Sequence, residues 1–144
     1  MFAIFLVGCT SSNEQWIIFT QRRAEQMGIG SWISSDGELD GYWTPSAENI
    51  QSLEGDLASF LRQNADSFRR QPPVWEQLDQ YKRQYVGVII GGKQVIYGNF
   101  FCTETGVDWR EDWVLVMDGG DCFFQIQFDV ENGTFTSLTV NGEA

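Results

Sequence analysis

Any chemistry in this 144-residue chain must come from carboxylates, amides, hydroxyls, indoles, nine Lys and Arg and three cysteines, because the chain contains no histidine. Without histidine there is no imidazole to activate a serine or cysteine nucleophile, and the commonest metal ligand is missing. The most suggestive carboxylate spacing is Asp36-Gly37-Glu38-Leu39-Asp40-Gly41, three acidic residues two apart before a glycine, as in the first half of a calcium loop. A full loop wants a bidentate Glu at the twelfth position, which here is Ala47, with Glu48 one residue late. A solvated turn is therefore expected ahead of a calcium site at Asp36, Glu38 and Asp40. Gly91-Gly92-Lys93 has hairpin-turn chemistry and no helix after it, so it does not read as a phosphate loop. Acidic pairs for glycoside chemistry are available in number, but no spacing singles out two of them. The expectation is a non-enzymatic protein with no metal and no cofactor.

Charge narrows the partners. The chain carries 20 Asp and Glu against 9 Lys and Arg, a net charge of -11, which opposes nucleic-acid phosphates and anionic lipid headgroups. A macromolecule steered by charge should be basic, and no nucleic-acid partner is expected. The plainer reading is that acidity maintains solubility. At 42% hydrophobic and 15% aromatic residues, a packed core is available without a metal.

The elements that would position any site are clearest in the C-terminal half. Tyr85–Ile90, Val95–Cys102, Trp113–Met117, Cys122–Val130 and Thr134–Val140 are rich in β-branched and aromatic residues. Gly91-Gly92-Lys93, Asp118-Gly119-Gly120-Asp121 and Glu131-Asn132-Gly133 separate them as turns. Along Phe123–Val130 the even-numbered residues Phe124, Ile126, Phe128 and Val130 alternate with Phe123, Gln125, Gln127 and Asp129, which predicts one buried and one largely wet face. Phe101 and Phe123 fall on that outer face, where cover from the N-terminal segment is expected. Thr44-Pro45 predicts a helix start, and Ile50, Leu53, Leu57, Phe60 and Leu61 form an apolar stripe opposite Glu48, Gln51, Gly55, Ser59 and Arg62. The helix is expected from Pro45 to about Asn64. Pro72-Pro73 then forces an extended entry to a shorter helical segment over Val74–Tyr81. Residues 14–42 are expected to be poorly ordered, with a short strand at Trp16–Phe19 and a helical turn at Gln21–Met27. The predicted fold is α+β: a long amphipathic helix and a short second one on a 4–5-stranded antiparallel sheet.

The N-terminus carries a family resemblance. Met1-Phe-Ala-Ile-Phe-Leu-Val-Gly8 is wholly apolar and is followed by Cys9 and the polar run Thr10-Ser-Ser-Asn-Glu14. Leu6-Val7-Gly8-Cys9 resembles the lipobox of bacterial lipoproteins, in which the signal peptide is cut before the cysteine and the new N-terminal cysteine carries the lipid. The apolar run is far shorter than the ~20 residues of a membrane-spanning helix. No Lys or Arg precedes it, so either translation starts upstream or the segment is a buried first strand. The resemblance implies a signal-peptide remnant at 1–8, a lipid anchor and tether at 9–15 with Cys9 lipidated, and one domain over 16–144. Thr10 after the cysteine resembles lipoproteins sent to the outer membrane, so the expected location is the cell envelope, facing the periplasm.

With Cys9 given to lipid, Cys102 and Cys122 remain, and an even count in an exported protein suggests a disulfide. In a simple meander the two would sit at opposite ends of the sheet, beyond the limit of about 7 Å between bridged Cα atoms. A bridge requires that the strand after Asp121 pair directly with Val95–Cys102, leaving residues 103–112 as a connection. Both arrangements are open from the sequence. The order of one long helix followed by antiparallel strands is similar to that of cystatin-like and NTF2-like folds. The Gln-x-Val-x-Gly hairpin of cystatins is not matched by Gln84-Tyr85-Val86-Gly87, so protease inhibition does not follow. Two functional classes are expected: an envelope module binding a macromolecular partner, a basic one if charge selects it and inhibitor- or immunity-like in kind, or a cleft between sheet and helix for a small ligand.

Overall fold

The computed structural model describes residues 10–12, 15–33 and 39–143. Cys9, Asp36, Glu38 and the apolar run 1–8 lie outside the described residues. The fold is α+β, with three α-helices among the described residues on a mostly antiparallel sheet. The strands are β1 (Thr10–Ser12), β2 (Trp16–Phe19), β3 (Leu39–Trp43), β4 (Lys82–Ile90), β5 (Lys93–Phe101), β6 (Phe123–Asp129) and β7 (Thr134–Val140). The helices are α1 (Gln21–Met27), α2 (Gly30–Ile33) and α3 (Ala47–Gln63). β4 is the axis of the sheet. One edge of it pairs with β5; the other is shared end to end by β2, parallel along Arg83–Val86, and β3, antiparallel along Gly87–Ile90. β6 and β7 continue from β5, and β1 pairs with β2 at the opposite edge.

Turn chemistry fixes the register of the C-terminal strands. Gly91 and Gly92 adopt φ of 58° and 76°, which a two-residue hairpin needs and which aligns Ile90 with Lys93. The carboxylate of Asp40 on β3 accepts the Gly92 amide at 3.0 Å, tying that turn to its neighbouring strand.

Several expectations are corrected. α3 starts at Ala47 and not at Pro45, because Ser46-x-x-Asn49 closes a reciprocal capping box: the Asn49 amide donates to Ser46 Oγ at 3.1 Å and the Ser46 amide to Asn49 Oδ1 at 2.9 Å. Thr44 instead accepts the Gln21 amide at the start of α1. The short second helix is two 3-10 turns, Val74–Glu76 and Leu78–Gln80. Trp113–Met117 is not a strand, because β6 already occupies the edge of β5 that it would need. Within the stretch 14–42, expected to be poorly ordered, the expected strand and helical turn are present as β2 and α1, α2 and β3 are added to them, and Thr10–Ser12 of the expected tether joins the sheet as β1.

The inner face of the sheet is filled by α3. Ile50, Leu53, Leu57 and Leu61 are fully buried against Tyr85, Ile96, Phe100, Phe124 and Ile126, as the stripe predicts, while Phe60 sits at the rim, stacked on Phe135 at 4.3 Å. Gly98 makes room for this layer, since a Cβ there would lie 2.9 Å from the Tyr85 ring. Within the apolar layer sits an ion pair. Arg83 donates to both carboxylate oxygens of Glu54 at 2.9 and 3.1 Å and to the carbonyls of Leu78 and Tyr81 at 2.8 and 2.7 Å. The Tyr85 hydroxyl donates to the same carboxylate, and burial, then the Glu54 charge, push its pKa well above the ordinary tyrosine value. One cluster thus joins α3, β4 and the 3-10 turns. Truncating Glu54 leaves the guanidinium buried and unpaired, so Glu54→Ala should cost about 3–5 kcal/mol in chemical denaturation. A Glu54→Ala variant with the stability of the parent would refute this role for the pair.

Candidate functional site

The outer face of the sheet has two covers and a gap between them. At one end α1 and α2 place Ala24, Ile29 and Ile33 over Val86, Val88 and Val95. At the other end the connection between β5 and β6 folds back so that Val114, Trp109 and Val116 cover Phe101 and Phe123, which are 2% and 7% exposed. The expected cover from the N-terminal segment is therefore corrected at this end: the 103–119 connection supplies it. The Cys102–Cys122 bridge fastens the base of the connection. β6 pairs directly with β5, the two Cα atoms are 5.1 Å apart, and the Cys102 amide donates to the Cys122 carbonyl at 3.1 Å. Of the two arrangements open from the sequence, this is the one that permits the bridge.

Side-chain amides do for this connection what a strand partner would have done. Gln84, fully buried, donates to the carbonyls of Trp109 and Asp112 at 2.7 and 2.6 Å and accepts the Val114 amide at 3.0 Å. Asn99, its partner across the β4–β5 ladder, donates to the Val114 carbonyl at 2.7 Å and to Gln84 Oε1 at 3.1 Å. Asn141 donates to the carbonyls of Val116 and Asp118 at 2.6 and 2.9 Å. Gln125 links Asn99 to Asn141 by longer bonds of 3.4 and 3.3 Å, and its own carbonyl oxygen has no partner among the described residues. The result is a belt of four amides across β4, β5, β6 and the end of β7. Arg23 on α1 closes the structure from the other side, donating to the Glu111 carbonyl at 2.6 Å and to Asp112 at 3.4 Å.

Between the covers lies a groove of two adjoining hollows, of about 200 and 210 Å³, which share Trp32, Tyr97 and Gln125. Trp113 forms one wall, held between Phe19 and Tyr97 with ring centroids 6.3 and 5.9 Å away. Trp32 on α2 forms the other and is 56% exposed; Leu115 and Met117 at the rim are 48% and 77% exposed. The floor is Tyr97, Asn99, Gln125 and Gln127, with Ser137 and Thr139 beyond. Desolvation by the surrounding rings pushes the Tyr97 pKa up to about 12, yet its hydroxyl has no hydrogen-bond partner among the described residues. No residue lining either hollow is charged, in a chain where one residue in five is.

The residues singled out from sequence are dispersed. Cys9, Asp36 and Glu38 are outside the described residues, and Asp40 caps the β4–β5 turn. No group of three or more Cys, Asp or Glu among the described residues is arranged to hold a metal ion. The Cys102–Cys122 bridge lies at the end of the sheet away from α2, where Arg70 donates to Cys102 Sγ at 2.9 Å and the Asp121 carboxylate accepts the amides of Arg69 and Arg70. The belt went unread. Its signal was present in the sequence: Gln84 and Asn99 interrupt otherwise apolar strands at positions that a two-residue hairpin places opposite each other. Among the described residues no helix is long and apolar enough to cross a membrane. Compared with known proteins, the chain matches no family model, no curated protein and no solved structure.

The belt implies a specific weakness. Gln84→Ala leaves a buried amide and two carbonyls of the connection without partners, which should cost about 3 kcal/mol. It should also make residues 103–119 the first site of limited proteolysis. Unchanged protease resistance in that variant would show that the disulfide and the apolar contacts suffice to hold the connection.

Proposed function

We propose that this chain is a non-catalytic binding protein of the bacterial cell envelope, anchored by lipid at Cys9 and facing the periplasm from the outer membrane. The observation that carries the binding reading is the asymmetry of the two sheet faces. The inner face is consumed by α3 and the Glu54–Arg83–Tyr85 cluster, so the helix-and-sheet cone of cystatin-like and NTF2-like proteins, which this fold approaches in element order, is filled with side chains. The outer face holds an open groove with three large exposed apolar side chains at its rim and polar groups on its floor that have unused hydrogen-bonding capacity. Exposed aromatic and apolar side chains gathered around one depression are the usual mark of a recognition surface. The anchor reading rests on the lipobox resemblance at Leu6-Val7-Gly8-Cys9 and on the polar residues that follow.

A second reading has its own support. The connection bordering the groove carries Glu104, Asp108, Glu111, Asp112, Asp118 and Asp121 against Arg110, and with the net charge of -11 this favours a basic protein, as an inhibitor- or immunity-type module would bind. Such a complex should weaken steeply as salt rises.

Both halves of the proposal are open to test in cells expressing the gene from its own start. Labelled fatty acid should be incorporated by the wild-type chain and not by Cys9→Ala; label persisting in the variant rules out this anchor. A photo-crosslinking residue placed at position 117, on the groove rim, should give envelope adducts, and the same residue at position 51, on the outward face of α3, should not. Equal adduct yield at the two positions would remove the outer face as the recognition surface.

A further inference from the structure

The lining of the groove specifies the class of ligand more closely than the charge of the whole protein does. A cationic partner would meet carboxylates, and an anionic one would meet guanidinium or ammonium groups. The two hollows present neither. They present indole rings at the walls, and a phenol ring, carboxamides and hydroxyls on the floor. That combination suits a molecule with an apolar ring face and a rim of neutral donors and acceptors. A pyranose ring has both: its axial C–H groups form a face that packs on an aromatic plane, and its equatorial hydroxyls pair with amides. The exposed apolar rim at Leu115 and Met117 adjoins the first of these hollows, the one walled by Trp113, and would receive a methyl group carried on the sugar, as on an acetamido substituent.

We infer that the groove between α2 and the β5–β6 connection is a binding site for a neutral saccharide chain bearing N-acetylated sugar rings, one ring resting against Trp32 and the next against Trp113 and Tyr97. Three features support it independently of the envelope reading. The Tyr97 hydroxyl, the Gln125 carbonyl oxygen and the side chain of Gln127 face the same groove with hydrogen-bonding capacity that no described residue uses. The rigid wall is fixed in advance: Trp113 is held by Phe19 and Tyr97, and its backbone neighbours Asp112 and Val114 by the amide belt. Little ordering is left for a ligand to impose there. The two hollows are contiguous through Trp32, Tyr97 and Gln125, so the site is a track that accommodates a chain and not a closed cell for one ring.

This inference rests on the outer face being the recognition surface and names what occupies it. The test is calorimetric titration of the full-length protein in detergent with the β-1,4-linked tetramer of N-acetylglucosamine, with the β-1,4-linked tetramer of glucose for comparison, at low and high salt. The expected result is salt-insensitive binding of the acetylated tetramer, at least tenfold tighter than that of the glucose tetramer. Trp32→Ala should weaken it tenfold or more and Tyr97→Phe several-fold. Neither variant should shift the melting temperature appreciably, because Trp32 is mostly exposed and the Tyr97 hydroxyl has no intramolecular partner among the described residues. Absence of binding by the wild-type chain, or binding that Trp32→Ala leaves unchanged, would overturn the site. Equal affinity for the two tetramers would overturn the acetamido assignment. Binding of lysozyme at low salt that depends on Trp32, in place of tetramer binding, would overturn the saccharide and transfer the groove to a basic protein. Adducts from position 117 in cells that persist while the tetramers fail to bind would leave the outer face standing and remove only the ligand class.

Discussion

A connection that leaves the sheet at Phe101 and re-enters it at Phe123 has to satisfy its backbone without a strand beside it, and the rest of the outer face follows from how that is done. Direct pairing of β5 with β6 excludes the intervening residues from the ladder. Buried backbone groups left without partners would each cost about 1–3 kcal/mol. Gln84 and Asn99 on the strands and Asn141 just after β7 supply the missing bonds, and the disulfide closes the base of the segment. The cost of placing amides in the interior is met because each of their short bonds has good geometry.

Fastening the connection in this way decides what the outer face becomes. Val114 and Trp109 seal one end over Phe101 and Phe123, α1 and α2 seal the other over Val86 and Val88, and between them Tyr97 on β5 is only partly covered. Tyr97, Gln125 and Gln127 are left at the bottom of a groove whose Trp113 wall is held by Phe19, Tyr97 and the amide belt. The inner face is closed by a different device, a bidentate ion pair and a tyrosine inserted into an apolar layer, which joins α3 to β4.

Much of the framework was legible because its signals are local. Thr134–Val140 and Gln21–Met27 appear with the bounds read from the sequence, and the buried stripe of α3 is the one its spacing implies, apart from Phe60 at the rim. What escaped depends on partners remote in the chain. The strand at Trp16–Phe19 was legible but its parallel pairing with β4, across more than sixty residues, was not, and β3 is short and interrupted by Gly41, so it carries no sufficient pattern of its own. Trp113–Met117 has the composition of a strand and no free edge to join, a conflict that only the topology reveals. Glu54 lies within the apolar stripe of α3, but its role needs Arg83 and Tyr85, which arrive from the sheet. The groove was invisible for the same reason: its walls come from α2 and from a segment read as a strand.

The central claim is that side-chain amides hold the β5–β6 connection in place and so shape the groove. Hydrogen exchange of the carboxamide protons of Gln84 and Asn99, followed by NMR, measures this directly. If the belt is as described, these protons exchange orders of magnitude more slowly than those of a solvated carboxamide, with protection comparable to the backbone amides of β4 and β5. Exchange at the solvated rate, while the β4 and β5 backbone amides remain protected, would contradict the account.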